Sequence, residues 1–229
     1  MFFNPTYLIF MAPAFILTML AQFYVNATYR KWQRIPARSR ISGAEAASRL
    51  IRFENLNDIE IQATRGKLTD HYDPRRKVLR LSEGVYQGSS VASLAIAAHE
   101  LGHALQDQEE YFPLRFRTLL VPAVNIGSYL GWILIMIGLF LNFINLAWLG
   151  LAIFSAGAIF ALATLPVEFN ASARAKVMLQ QSGIIQTQEE ERGVNAVLNA
   201  AALTYVAALF TAILQLLYWA TMLTGNRRR

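Results

Sequence analysis

Hydrophobic and polar positions divide this chain into long apolar runs and one broad polar stretch. The apolar runs cover roughly 7–25, 119–140, 146–165 and 197–223, with Pro13 inside the first. A helix of about 20 apolar residues crosses the hydrocarbon layer of a membrane, so each run predicts a span. Only "LNFIN" separates the second run from the third, which predicts a hairpin of two spans. The fourth run has neither Gly nor Pro in "LNAAALTYVAALFTAILQLLYWATML" and predicts one long helix with no re-entrant turn.

The polar stretch, about 26–118, has shorter periods. Ser42 followed by Glu45 is a capping box and predicts a helix over about 42–54. "IEIQATRG" alternates as a half-buried strand does. "KLTDHYDPRRKVLRLSE" reads as two strands, about 67–71 and 77–82, joined through the turn-prone "YDPRR". Together these predict a small α+β unit with a short antiparallel sheet, the strand at 77–82 being a candidate edge. Ser89 or Ser90 then caps a helix that opens on the apolar Val91–Ala98 and runs into the polar "QDQEEYFPLRFR". That helix is too short and too polar at one end to span, so it belongs to a buried core near the headgroups. After the third run, Pro166 opens a helix over about 167–181, closed by Gly183. A second capping box, Thr187 with Glu190, starts the helix that leads into the fourth run. The expected organisation is a transmembrane helix at 1–25, an α+β unit at 26–118 and a transmembrane hairpin at 119–166. A further helix follows at 167–195, then a transmembrane helix with a basic tail at 196–229.

Composition and charge refine this. The 229 residues are 55% hydrophobic, carry a formal charge of +6 and include no cysteine. Disulfides and thiolate metal sites are therefore excluded. No Lys or Arg precedes the first run and no small-residue cleavage site closes it, which argues against a cleaved signal peptide. Arg30, Lys31, Arg34, Arg38 and Arg40 follow it directly. By the positive-inside rule that end is cytoplasmic and the amino terminus outside. Beside a span, such a basic run meets anionic lipid headgroups rather than nucleic acid.

The chemistry lies in "AIAAHELGHALQDQ", which holds His99, Glu100 and His103 as H-E-x-x-H. Histidines four apart share a helix face and can grip one ion, with the glutamate between them as base. The chain has three histidines in all, so a chance match is improbable. A catalytic zinc takes three protein ligands and one water, so a third ligand is needed. Asp107 is on the same helix, about 12 Å of rise from residue 99, too far to share the ion. His71 falls at a strand end beside a turn, and Glu109 and Glu110 read as solvated charges. Glu168 remains, in "LPVEFNASARAK". Two crossings between His103 and Glu168 return it to the same side of the membrane. An acid at a helix start beside a span also has a bland explanation, the helix dipole. The oxyanion of an acyl transfer needs a donor besides the metal. His71 and Tyr205 are the candidates. Their ordinary alternatives are a turn-stabilising side chain and a packed interfacial aromatic.

"AAHELGHALQ", "DHYDPRRKVLRLS" and "LPVEFNASARA" together resemble the YugP-type family of bacterial membrane zinc metallopeptidases, over most of the chain. A more distant likeness is to HtpX-type and CAAX-type membrane proteases, gluzincins whose third ligand is the glutamate of an E-x-x-x-D pattern. Glu168 matches that glutamate, while Ser172 stands in place of the aspartate that supports a ligand histidine. The resemblance implies a predominantly α-helical integral membrane protein with a small α+β cytoplasmic metallopeptidase unit carrying the H-E-x-x-H helix. It implies Zn²⁺ on His99, His103 and Glu168, and Glu100 as general base. It also implies a multi-pass enzyme of the bacterial inner (plasma) membrane whose site faces the cytoplasm. Expected partners are a peptide or membrane-protein substrate, the lipid bilayer, and a membrane partner protein or a second copy of the chain. The competing readings are a non-catalytic membrane scaffold with a structural or vestigial zinc site and a hydrolase of lipids or small molecules.

The topology is testable, since a chain with no native cysteine labels cleanly. Single cysteines replacing Gln33 and Gln188 are expected to react only from the cytoplasm, and one replacing Asn226 only from outside. Cytoplasmic labelling at 226 would refute a single fourth crossing. Absence of cytoplasmic label at 33 or 188 would overturn the shared-side argument for Glu168.

Overall fold

The computed structural model describes residues 5–56 and 58–226, so Arg227–Arg229 of the basic tail lie outside it. The described residues form eight helices and a three-stranded sheet. In chain order they are α1 Pro5–Gln33, α2 Gly43–Phe53, β1 Glu60–Thr64, β2 His71–Asp73, β3 Val78–Ser82, α3 Glu83–Tyr86, α4 Val91–Gln108, α5 Phe112–Phe140, α6 Ile144–Phe154, α7 Ala156–Gln181 and α8 Gln188–Asn226. They divide into two compact units.

One unit takes residues up to Gln22, then Arg115–Leu165 and the chain from Thr204. Its core gathers Ile135, Ala147, Leu151, Tyr218, Trp219 and Leu223. Tyr7 meets Tyr218 edge to face at 5.3 Å between ring centres. Among the described residues, four helical stretches are long and apolar enough to cross a membrane: Pro5–Gln33, Phe112–Phe140, Ile144–Gln181 and Gln188–Gly225. Between 11% and 28% of each apolar window is buried. A water-soluble protein does not leave that much contiguous apolar surface open, whereas lipid covers it without cost. Pro13 and Pro122 do not end their helices.

The other unit, Phe23–Leu114 with Pro166–Leu203, is the α+β part. α4 is its central element. Eleven of its residues, from Val91 to Gln106, are buried, which is why a helix that opens on two largely apolar turns need not enter lipid. Around it lie Leu50 of α2, Leu79 and Leu81 of β3, Met178 and Leu179 of α7, and Leu198 of α8. Ser90 caps α4 by accepting from the Ser93 amide at 3.1 Å, and Ser42 caps α2 through the Glu45 amide at the same distance. The Thr187 box is reciprocal: Thr187 Oγ1 accepts from the Glu190 amide at 3.2 Å, and Glu190 Oε2 accepts from the Thr187 amide at 3.0 Å. α8 then runs unbroken for 39 residues, and its apolar stretch without Gly or Pro makes no turn, as expected.

Four expectations are corrected. The strand order is β1-β3-β2, so β3 has partners on both sides and is not an edge; β1 and β2 are the edges. The sheet is mixed, because β1 pairs with β3 in parallel and only β2 pairs with it antiparallel. Alternation reveals a strand but carries no direction, and β2 joins the sheet between β1 and β3 in sequence but outside β3 in space. β2 also begins at His71 rather than near 67, and Asp73 closes it by accepting from the Arg75 and Arg76 amides at 3.0 and 3.2 Å. Finally, Pro166 does not open a helix. It lies inside α7, which continues from the third apolar run through Glu168 and stops at Gln181, before Gly183 with φ +67°.

α4 and α7 touch through their backbones. A Cβ on Gly102 would stand 2.5 Å from the carbonyl oxygen of Ala171. Gly102→Ala is expected to force the helices apart, cost about 1–3 kcal/mol and lower metal affinity with it. Thermal melting and metal titration measure the two. A variant of wild-type stability and affinity would show that the contact is not limiting.

Candidate metal centre

α4 presents His99 and His103 on one face, their rings edge to face with centres 4.9 Å apart. α7 answers with a face of small residues, Ala171 and Ala175, both fully buried, and with Glu168 one turn before Ala171. Small side chains there and Gly102 opposite bring a short carboxylate within reach of two imidazoles. Glu168 Oε2 lies 3.3 Å from His99 Nε2 and 3.6 Å from His103 Nε2. Glu168 is 3% exposed, and the histidine side chains 13% and 14%.

The donor set fits a zinc ion. Tetrahedral ligands at about 2.0–2.2 Å from the metal stand about 3.3–3.6 Å apart, which matches both measured separations. The three donor atoms lie within 4.8 Å of one another, and they are the only such group found among the described residues. Three protein donors leave one coordination position for water or substrate.

The far side of each ring is also engaged. His99 Nδ1 is 3.2 Å from Ser172 Oγ, so Ser172 touches the ring of His99. His103 Nδ1 is 3.0 Å from Gln106 Oε1. Both Nε2 atoms thereby point at Glu168. Burial pushes the His103 ring below its ordinary pKa, but the contact with Glu168 and the charges of Glu100 and Glu168 outweigh that and hold it above. Glu100 is thus close enough to be felt at the site while standing outside the ligand triplet, half-buried on the same helix.

The other candidates fall elsewhere. Asp107 accepts from Tyr72 Oη at 3.0 Å and pairs with Lys77 Nζ at 2.6 Å, tying α4 to the sheet. Since Tyr72 faces α4, alternation turns His71 to the opposite face of β2. His71 is exposed there, donates from Nδ1 to the Thr69 carbonyl at 2.8 Å, and has Arg80 3.4 Å from its Nε2. Tyr205 is half-buried on α8 and belongs to the unit that does not hold the triplet.

Sequence reasoning missed Gln106, Asn170 and Arg174. Gln106 is fully buried and donates from Nε2 to the Val167 carbonyl at 2.8 Å and to Asn170 Oδ1 at 2.9 Å. Its signal was its place, three residues after His103 and on the buried side of a helix.

Comparison with known proteins adds the family context. A family described as "Putative neutral zinc metallopeptidase" matches residues 7–224. The chain is 46% identical over 211 residues to "Putative membrane protease YugP" of Bacillus subtilis (strain 168), covering 92% of this chain and 93% of that relative. No solved structure matches the chain.

Replacing Glu168 with Ala is expected to empty the site as severely as replacing His103 with Ala, while Asp107→Ala retains nearly full zinc. Metal analysis of the purified proteins decides. Stoichiometric zinc in the Glu168→Ala protein would move the third ligand elsewhere.

Proposed function

We propose that this chain, which belongs to the neutral zinc metallopeptidase family, is a membrane-embedded endopeptidase that cleaves peptide bonds at the cytoplasmic face of the bacterial plasma membrane. The observation that carries the reading is the convergence of His99, His103 and Glu168, with Glu100 one residue along the helix from a ligand. Bound zinc would polarise the scissile carbonyl and acidify a coordinated water towards a pKa of about 7.

The protein side chains do the rest. His99, His103 and Glu168 hold the ion on two rigid helices, which suits a centre that keeps its geometry through turnover. Glu100 takes a proton from the attacking water as its oxygen adds to the carbonyl carbon, and returns it to the nitrogen as the C–N bond breaks. A carboxylate beside the site and outside the ligand set suits that duty. Of the two expected oxyanion donors, Tyr205 belongs to the other unit, and His71 would have to leave Thr69 and Arg80 and turn to the face of β2 that meets α4. An extended peptide would add to a free sheet edge, β1 or β2, rather than to the central β3.

The basic residues after the first run support a cytoplasmic site, and the apolar helices support substrates that are membrane proteins or their loops. A scaffold with a structural zinc has no use for Glu100, and closed structural sites take four protein ligands.

Glu100→Gln is expected to keep zinc and fold and to lower peptide hydrolysis by about 10²–10⁴-fold, the usual weight of a general base. Peptidase assays on metal-loaded protein, with and without chelator, measure it. Undiminished turnover by a metal-loaded variant would remove Glu100 from the reaction, and a lipid substrate cleaved in place of peptides would change the reaction class.

A further inference from the structure

We propose that Gln106 is a positioning residue that fixes the tautomer of His103, and that Asn170 and Arg174 hold Gln106 in the one orientation that does so. The inference rests on His103 being a metal ligand, as read above.

The argument follows donors and acceptors. The Val167 carbonyl can only accept, so the group 2.8 Å from it must be the amide nitrogen of Gln106. The same nitrogen lies 2.9 Å from Asn170 Oδ1, so both of its protons have acceptors on α7. The Gln106 oxygen is then the atom facing His103 Nδ1 at 3.0 Å. An amide oxygen can only accept, so His103 carries its proton on Nδ1 and its Nε2 lone pair is free for the metal.

Asn170 has the same ambiguity and it is resolved in the same way. Arg174 Nε, which can only donate, lies 2.7 Å from Asn170 Oδ1. That makes the atom facing Gln106 an oxygen. Arg174 is itself held by Glu109 Oε2 at 2.6 Å, and its guanidinium lies 5.8 Å from the ring centre of Tyr111. A permanently charged group at one end thus sets the direction of every hydrogen bond up to the ligand histidine.

His99 has no equivalent. Its Nδ1 meets the Ser172 hydroxyl, which can donate or accept and therefore imposes no tautomer. The two ligand histidines, alike in sequence, are supported differently. Because Gln106 sits on α4 and its acceptors on α7, the lock also ties the ring's orientation to the contact between the two helices that supply the ligands.

The test uses the full-length protein in detergent and reads metal binding rather than proteolysis. Zinc affinity is measured by competition with a chromogenic chelator, and the visible spectrum of the cobalt-substituted protein reports ligand geometry. Gln106→Met is expected to bind zinc about 10–100-fold more weakly, with an altered cobalt spectrum. Asn170→Asp keeps an oxygen for both donors and is expected to retain wild-type affinity, whereas Asn170→Leu falls towards the Gln106 variant. Wild-type affinity in folded Gln106→Met overturns the role of Gln106, and wild-type affinity in Asn170→Leu overturns that of Asn170. Should Gln106→Met fail to fold, nitrogen NMR of the zinc-loaded wild type decides, since three histidines give few signals. A proton on His103 Nδ1 with Nε2 ligated supports the lock, and ligation through Nδ1 ends it. A protein that binds zinc yet cleaves no peptide sinks the peptidase reading alone. A wild type that binds no zinc sinks both.

Discussion

The approach of α4 to α7 is the contact on which the rest of the centre depends. Helices usually pack with axes about 8–10 Å apart, a spacing set by the side chains between them. A glutamate and two histidines can converge on one ion across such a gap only if little else fills it. Gly102 removes a side chain at the level of the ligands, and Ala171 and Ala175 keep the facing surface flat. The motif's two intervening residues therefore have different duties. Leu101 is fully buried in the core, and Gly102 sets how closely α7, with Glu168, approaches.

Around that contact Gln106 and Ser172 link the two helices through side-chain hydrogen bonds. Gln106 donates to two acceptors on α7 while accepting from a ring on α4, and Ser172 on α7 meets the other ring. A buried amide with unmet donors costs about 1–3 kcal/mol, so this network resists sliding of one helix along the other. One turn after His103 on α4, Asp107 engages Tyr72 and Lys77 and secures the sheet. The metal helix is thus held from two directions, which suits a site whose geometry has to persist.

α7 also joins two stretches that the chain's pattern separates. It begins in an apolar run fit for lipid and carries Glu168 without interruption, Pro166 included. Proline inside an apolar helix removes one hydrogen bond, and transmembrane helices tolerate that where neighbouring groups compensate. A ligand on a continuous helix is placed more rigidly than one on a connecting loop.

The four apolar helices, both capping boxes, the limits of α4 and the shared face of His99 and His103 were legible in the order of residues. Each depends on periods or contacts within a few positions, where the backbone's geometry is already known. That Glu168 comes beside His99 and His103 was reachable by setting other acidic residues aside, because length and crossing number limit which residues share a side. The parallel pairing of β1 with β3 was not legible, since alternation marks a strand and not its neighbour or direction. Nor was the part played by Gln106, Asn170 and Arg174. A buried amide looks the same in sequence whether it faces a carbonyl or a ring, and only the packing of α7 on α4 decides which of its atoms points at His103.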